Sequence, residues 1–262
     1  MLPNYWMSPE TNSINRLGML NIEHFETISL DGVWRFQLLS SPEDDSRKRW
    51  TKIPVPGLWT MQPTSDDFFD KPHYTNTQMP WDHVAPEVPI LNPTGVYERD
   101  FEIPSSWDGK RVVLHLGGYE SVAVISVNGV EVGLTKDSRL AAEFDITGQI
   151  KRGKNNLEIK VTKWSDATYI EDQDQWWHGG ITRSVKLYAT EHVFIERFAT
   201  TAGLKADGTT GTLKIDAIIG SIGGKSTDGY TLRTSIEELP KVKYMNESIY
   251  NDIISKTFFL NK

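Results

Sequence analysis

Cysteine is absent from the 262 residues, and so is any long apolar run. Without a thiol, the chain has no disulfide, no thiolate metal site and no cysteine nucleophile. No apolar run approaches the roughly 18 residues that a membrane span needs. The opening MLPNYWMSPETNSINR also lacks the basic start and apolar core of a secretory signal. These absences lead us to expect a cytoplasmic protein without membrane contact.

Positive charge and the common catalytic signatures are also scarce. The chain has 28 Lys and Arg against 35 Asp and Glu, a formal net charge of −7, whereas nucleic-acid binding requires a basic face. The sequence contains no G-x-S-x-G nucleophile elbow, no clustered histidines with zinc-ligand spacing and no glycine-rich phosphate loop. It therefore predicts no nucleic-acid partner, no serine nucleophile and no zinc site.

Long helical periodicity is missing, whereas short strands are frequent. The clearest hairpin signal is Asn128-Gly129 between two β-branched runs, because this pair suits a type I′ turn. Short strands separated by Gly, Pro, Asn and Asp clusters indicate an all-β sandwich or jelly roll. The predicted strand regions here are Ser29–Leu39, Thr94–Ile103, Lys110–Leu116, Ser121–Val132 with its turn, Asn155–Lys163 and Ser184–Ala189.

One segment, Val55–Pro93, shows no strand pattern and is rich in proline and aromatic residues. A loop of about forty residues is unusual in a compact domain unless it is functional. We interpret it as an ordered binding or interface loop, with a segment that covers a sheet edge as the alternative. Four of its aromatic residues are candidates for an exposed surface that favours self-association: Trp59, Phe68, Phe69 and Trp81.

The composition shifts after Ala189, where aromatic residues become fewer and Gly, Ser and Thr increase. Three further strands are predicted, at His192–Thr201, Thr212–Ile219 and Tyr230–Ile236, whereas a complete sandwich needs about seven. The last residues show no strand period, and we expect one or two amphipathic turns there, carrying Ile249, Ile253, Ile254 and Phe258. We therefore predict domains at 1–190 and 191–239, a tail at 240–262, and a chain that ends inside a domain.

The run KWSDATYIEDQDQWWHGGITR, Lys163 to Arg183, combines carboxylates, tryptophans and a Gly-Gly pair. Carboxylates bind sugar hydroxyls and cations, and indole faces stack on the C–H faces of pyranose rings, so the run suits the wall of a polar pocket. The alternative is a surface loop whose tryptophans belong to the core. Two carboxylates on one side of a strand would repel without a cation or donors between them. We therefore favour Asp174 or Asp172 as a cation or hydroxyl ligand over an acid/base pair.

This run, WSDATYIEDQDQWWHGGITRSVKLYA, closely resembles the end of the sugar-binding domain of family-2 glycoside hydrolases, in particular the bacterial β-galactosidases. The resemblance covers about Trp6 to about Ala189 and extends more weakly to Ile236. Further blocks match in the same order: INRLGML, SLDGVWRFQL, VPGLWTMQ, KPHYTNTQMPW, NPTGVYERDFEIPSSW, SVNGVEVG, DSRLAAEFDIT and GKNNLEIKVTKWSD.

The resemblance implies a fold and an activity. The expected fold is all-β: a galactose-binding-like jelly-roll sandwich with an amino-terminal arm at 1–190, then an incomplete immunoglobulin-like β-sandwich. In the family, a (β/α)₈ barrel follows and carries both catalytic glutamates and the catalytic Mg²⁺ ligands. The whole enzyme hydrolyses terminal β-galactosides such as lactose with retention. No catalytic residue is therefore expected in this chain.

Two residues are implied to reach the active site of the barrel: Asn92 of the NPTG block and Asp174 of the DQD block. The resemblance makes Asn92 and Asp174 substrate-binding residues, and Asp174 also a ligand of a shared Na⁺. Trp177 and His178 stand where the best-known member has arginine and methionine, which leaves the neighbouring wall open. The early metal-binding positions are not reproduced around Tyr5 and Ser8, so no Mg²⁺ ligand is expected in this chain.

The first hypothesis is therefore the amino-terminal portion of a β-galactosidase, inactive alone and lacking its catalytic barrel. The alternatives are a subunit that complements a partner carrying the barrel, and a stand-alone carbohydrate-binding or assembly module. The expected partners are a galactoside and the barrel domain or subunit, with homo-oligomer formation as a further expectation.

Overall fold

The computed structural model describes residues 4–18, 24, 26–46, 50–63, 69–74, 79–171, 173–238 and 254–261, without the side chains of 236–238 and 254–261. The chain divides into two compact units, Met1–Thr190 and Glu191–Lys262. The described residues form strands and short 3-10 turns, which confirms the all-β prediction. Among them, no helix is long and apolar enough to cross a membrane.

Sixteen strands lie in the described part of the first unit, several of them only two residues long. The 3-10 turns of this unit are Tyr5–Met7, Trp59–Met61, Ser105–Trp107 and Asp166–Tyr169. The strands are β1 (Ser13–Ile14), β2 (Thr27–Ser29), β3 (Gly32–Leu39), β4 (Thr51–Val55), β5 (Gly57–Leu58), β6 (His73–Tyr74), β7 (Thr94–Ile103), β8 (Arg111–Leu116), β9 (Tyr119–Glu120), β10 (Val122–Val127), β11 (Val130–Thr135), β12 (Ala142–Asp145), β13 (Gly153–Thr162), β14 (Trp176–Trp177), β15 (Gly180–Ile181) and β16 (Val185–Thr190).

Two large antiparallel sheets form the sandwich. One has seven strands in the order β1-β11-β10-β13-β7-β3-β4, and the other has four in the order β12-β8-β16-β2. Strand β13 shows why the sheets pack: its alternate residues Leu157, Ile159 and Val161 are at most 1% exposed, because successive side chains in a strand point to opposite faces. They share one hydrophobic core with Leu114 and Phe144 of the smaller sheet.

The predicted hairpin turn is confirmed. Strands β10 and β11 pair around Asn128 and Gly129, whose φ angles are +51° and +77°. Asn and Gly tolerate this left-handed region, which a type I′ turn requires at both central positions.

The segment Val55–Pro93 is wrapped against the sandwich by very short pairings. Strand β15 pairs with β5 and β9, and β14 pairs with β6. Two-residue strands are too short to show a period of two, so the sequence pattern missed them. The proposed self-association surface is wrong for Trp59, which is fully buried. Phe69 and Trp81 are partly buried against the main core and a second buried cluster respectively, and their part in such a surface stays a prediction. Phe68 lies outside the described residues.

The described residues of the second unit form two antiparallel strand pairs. Strands β17 (Val193–Leu204) and β18 (Gly211–Ser221) pair with each other, as do β19 (Thr231–Glu238) and β20 (Ile254–Asn261). The predicted amphipathic turns are therefore wrong for Ile254 and Phe258, which lie in β20 because backbone pairing with β19 outweighs the weak local pattern. Ile249 and Ile253 lie outside the described residues. The domain boundaries and the immunoglobulin-like assignment stay predictions.

Candidate functional site

The site begins at the short pairing of β14 with β6. Trp176 lies opposite Tyr74, and Trp177 lies opposite His73. Because neighbouring residues in a strand face opposite sides, the register places Trp176 and Tyr74 on one side and Trp177 and His73 on the other. The outer pair is 56% and 44% exposed, whereas Trp177 is 2% exposed.

Asp174 lies beside the outer pair. The Tyr74 hydroxyl donates a hydrogen bond of 2.6 Å to Asp174 Oδ1, a length typical of a bond to a charged carboxylate. The hydrogen bond to Asp174 is the main cause that raises the pKa of the Tyr74 phenol. The Tyr74 and Trp176 ring centroids are 5.3 Å apart with a tilt of 39°. We call Tyr74, Asp174 and Trp176 the exposed patch.

Beneath the exposed patch, three tryptophans pack together. The Trp177 ring lies 5.3 Å from Trp164 at 80°, and Trp81 lies 4.9 Å from Trp164 at 70°, both edge-to-face arrangements that aromatic rings prefer. His73 stacks on Trp177 with centroids 6.1 Å apart. We call Trp81, Trp164 and Trp177 the indole cluster; it makes the support of β14 and β6 rigid.

A buried ion pair fixes the loop that leads into β6. Lys163 Nζ lies 2.6 Å from Asp70 Oδ2, and the Lys163 side chain is only 3% exposed. The same ammonium donates to the Lys71 carbonyl at 2.9 Å, and Trp59 Nε1 donates to Asp70 Oδ2 at 3.3 Å. Residues 70 and 71 are thereby tied to the sandwich three residues before Tyr74.

The interpretation that the tryptophans of the Lys163–Arg183 run belong to the core is confirmed for two of them, and the pocket-wall interpretation stays a prediction. Trp164 and Trp177 are core residues, 8% and 2% exposed, whereas Trp176 faces solvent. The Gly-Gly pair has a packing reason as well, because a Cβ atom on Gly179 would collide with the Trp59 indole.

His178, whose role was left open, is held inside the unit. Its Nδ1 lies 2.9 Å from Thr60 Oγ1, and its backbone N–H donates to Glu120 Oε1 at 3.2 Å. Burial lowers the pKa of the imidazole. Both residues that depart from the best-known member, Trp177 and His178, therefore have structural partners here.

Asn92 does not lie with Asp174 on the exposed patch. It is 1% exposed, its Nδ2 donates to the Trp164 carbonyl at 2.8 Å, and its Oδ1 accepts the Trp164 N–H at 2.9 Å. This two-bond clamp joins the NPTG block to the end of β13, because a buried amide needs partners for both of its polar atoms. The contacts of Asn92 in this unit are therefore structural, and its substrate-binding role stays a prediction.

The other two described carboxylates of the run, Asp166 and Glu171, accept hydrogen bonds from protein groups. Asp166 Oδ1 accepts from the buried Lys136 ammonium at 2.7 Å. Glu171 Oε1 accepts the Ser138 N–H at 3.0 Å, and burial raises the pKa of the Glu171 carboxyl. These two groups line an open cleft of about 320 Å³. Asp172, the alternative ligand to Asp174, lies outside the described residues.

A cation would find one suitable ligand in the exposed patch. Hard cations take several oxygen ligands, and Asp174 supplies a solvent-exposed carboxylate. In the part of the chain that the structure describes, no three His, Asp or Glu side chains cluster as a metal site. Asp174 therefore fits the predicted Na⁺ only as one ligand among others from elsewhere, and the Na⁺ site stays a prediction.

Sequence reasoning missed Tyr74. The KPHYTN block lies in the proline-rich segment, and nothing in its local pattern indicates that Tyr74 pairs with Trp176 or reaches Asp174, 100 residues away. The sequence marked Tyr74 in one way: it is an aromatic residue within the KPHYTNTQMPW block, which resembles a block of a known family.

Comparison with known proteins shows the family of the chain. The family model described as "Glycosyl hydrolases family 2, sugar binding domain" matches residues 27–191. The chain belongs to glycosyl hydrolase family 2. It is 39% identical over 216 residues to a beta-galactosidase of Kluyveromyces lactis, covering 77% of this chain and 21% of that protein. It is 38% identical over 197 residues to a beta-galactosidase of Psychromonas ingrahamii, covering 71% and 18%.

Solved structures support the family-2 fold. A putative beta-galactosidase from Bacteroides fragilis matches with a TM-score of 0.62 and 18% identity, over 90% of this chain and 33% of that one. A beta-glucuronidase from Bacteroides uniformis matches with a TM-score of 0.60 and 20% identity, over 90% and 26%. Sequence identities of 18% and 20% show a shared fold and nothing about a shared activity. The chain spans about a fifth of the length of these curated family-2 relatives.

Proposed function

We propose that this chain acts as the amino-terminal, sugar-binding portion of a β-galactosidase and supplies one side of a galactoside site. The observation that carries the proposal is Asp174, an exposed carboxylate held by Tyr74 within the run that resembles the family. Support comes from the family-2 membership and from relatives named beta-galactosidase at 38% and 39% identity.

In this proposal, the reacting carboxylates come from a catalytic barrel. A retaining glycosidase needs an acid and a nucleophile about 5 to 5.5 Å apart, and no residue of this chain is assigned to either role. Asp174 accepts hydrogen bonds from sugar hydroxyls, and it would contribute one oxygen ligand if the shared Na⁺ were bound. Such contacts orient the galactosyl ring and can strengthen as charge develops in the transition state.

The proposed partners are the galactoside and the barrel domain or subunit. The Na⁺, the assembly into a homo-oligomer and the cytoplasmic location remain expectations from the sequence. In a complementing pair the barrel belongs to a separate chain, whereas in a continuous enzyme it belongs to the same chain. One experiment tests both possibilities.

The test combines this chain with a family-2 β-galactosidase shortened by the region that aligns with it. We expect the chain alone to hydrolyse no lactose, and the mixture to do so. The D174N variant removes the carboxylate charge and should lower kcat/KM of the mixture by about 100-fold, the usual effect of losing one transition-state contact. D82N, at an exposed aspartate of the same unit, should change it less than about twofold.

Two outcomes would count against the proposal. One is full activity of the D174N mixture. The other is an inactive mixture under conditions in which the shortened enzyme regains activity with its own amino-terminal segment. Turnover by the purified chain alone would instead contradict the expectation that it is inactive without the barrel.

A further inference from the structure

Two exposed aromatic rings flank Asp174 on the outer side of the β6–β14 pair. Trp176 is 56% and Tyr74 44% exposed, although large aromatic side chains usually bury most of their surface. Both rings contact each other, and one of them hydrogen-bonds the carboxylate. The exposed patch thus places apolar ring faces directly beside a charged acceptor.

This combination matches the chemistry of a pyranose ring. A sugar carries hydroxyl donors around its rim and C–H bonds on its faces, and the electron-rich face of an aromatic ring attracts such polarised C–H groups. In galactose, the axial hydroxyl at C4 leaves the C–H bonds of C3, C4 and C5 together on the opposite face. That C–H face can stack on an indole ring, and the hydroxyls at the rim of the sugar can donate hydrogen bonds to a carboxylate.

The patch is also held in place before any ligand arrives. The indole cluster supports β14 and β6 from below, and the Lys163–Asp70 ion pair ties the approach to β6. The Tyr74 hydroxyl donates a hydrogen bond to Asp174. This bond restrains the carboxylate in one orientation. Restraining groups before binding lowers the conformational entropy lost on binding.

We propose that Trp176, Tyr74 and Asp174 form a pyranose-binding platform that works in this chain by itself, with Trp176 stacking on the sugar face and Asp174 accepting its hydroxyls. Tyr74 is the positioning residue for Asp174. The ligand class is a β-galactoside, either monomeric or as the end of a disaccharide such as lactose. The inference rests on the proposed function for Asp174 and extends it to the two aromatic residues.

The experiment titrates the 262-residue chain with methyl β-galactoside and with lactose, following indole N–H signals by NMR. The signal missing from W176A identifies Trp176. We expect a saturable shift of this signal with a dissociation constant of about 1 to 10 mM, because a one-sided site makes few contacts. Sorbitol carries more hydroxyls than methyl β-galactoside but has no ring face, and it should give no saturable shift.

The variants separate stacking from hydrogen bonding. W176A should weaken binding, followed on the remaining indoles and by calorimetry, at least about tenfold. Y74F keeps the ring and should weaken it about three- to fivefold. On the D174N background Y74F should have no further effect, because a positioning residue acts only through its partner. W50A removes a partly exposed tryptophan that stacks with Arg35 elsewhere and should leave binding unchanged.

The platform is overturned if neither sugar produces a saturable shift up to about 100 mM, if sorbitol gives the same shift, or if W176A binds like the parent chain. Additive effects of Y74F and D174N would overturn the positioning role.

Loss of hydrolysis in the D174N mixture together with normal binding by W176A would leave the proposed function standing without the platform. Sugar binding that depends on Trp176, combined with a fully active D174N mixture, would leave the platform without the proposed function.

Discussion

Trp176 and Trp177 are neighbours in the chain, yet they serve opposite regions of the molecule. Trp177 belongs to the indole cluster and is 2% exposed, whereas Trp176 belongs to the exposed patch and is 56% exposed. Both lie in the two-residue strand β14. Because successive side chains of a strand point to opposite faces, the Trp177 ring lies inside the sandwich and the Trp176 ring faces solvent. One strand therefore contributes both the support and the proposed binding surface.

Residue type therefore does not assign function in this run. Tryptophans occur in both regions, carboxylates occur both on the surface and in buried ion pairs, and in each case the partners distinguish them. Asp174 accepts a hydrogen bond from a phenol on the surface, whereas Asp166 is paired with a buried lysine. Variants that act on one region and spare the other therefore test the comparison.

The largest expected effect is on the indole cluster. W177A removes a buried indole that contacts Trp164 and His73, and we expect the free energy of unfolding to fall by about 3 to 5 kcal/mol from lost burial and an unfilled cavity. The matched variant W176A should change it by less than about 0.5 kcal/mol because that ring is mostly exposed. Urea denaturation of both variants measures the contrast, and equal losses would contradict it.

A smaller effect is expected at the anchor of the approach to β6. D70A leaves the Lys163 ammonium, 3% exposed, without its carboxylate, and we expect a loss of about 3 kcal/mol because an unpaired buried charge is costly. The surface pair Lys154–Asp100 has side chains 69% and 53% exposed, and D100A should cost less than about 1 kcal/mol. Denaturation midpoints of both variants decide this, and a neutral D70A would show that the pair does not hold the loop.

The smallest expected effect is on the pH dependence of stability, and it compares buried Tyr5 with exposed Tyr74. Burial raises the pKa of Tyr5, which packs in the same buried cluster as Trp164 and Trp177, to about 12. A raised pKa in the folded state favours the protonated form, so this stabilisation is fully present below pH 10 and is lost as the pH rises towards 12. The loss should be on the order of 2 kcal/mol.

Y5F keeps the ring and removes the titration, so its stability should fall less than that of the parent chain between about pH 9 and pH 11. The other buried tyrosines titrate in both proteins and cancel in the comparison. Y74F, in the exposed patch, is the comparison and should depart from the parent chain in the same direction but by less, because the main cause that raises the pKa of Tyr74 is a surface hydrogen bond to Asp174 rather than burial. Identical pH profiles for Y5F and the parent chain would contradict the role of burial.

Local patterns predicted much of the sandwich. Alternation located Thr94–Ile103 at the bounds that the structure has for β7, and Asn128-Gly129 located the β10–β11 turn. Strands β5, β6, β14 and β15 escaped prediction because two residues contain no measurable period. Residues 254–261 were missed for a related reason, since pairing with β19 is a long-range interaction.

The candidate site divides in the same way. Asp174 was singled out from carboxylate chemistry and from family resemblance, and the structure places it in the open beside Tyr74. Asn92 was singled out from resemblance alone, and its amide is used on both sides by the backbone of Trp164. Burial and hydrogen-bond partners are properties of the folded chain, so the sequence could not separate the two residues.

Local features were enough to predict the all-β class and a run whose side chains suit sugar binding, since alternation, turn residues and side-chain chemistry can be read without the fold. Only the tertiary structure decided which tryptophan is support and which is surface. That choice depends on β14 meeting β6 in one register, and a shift by a single residue would exchange the inward and outward faces.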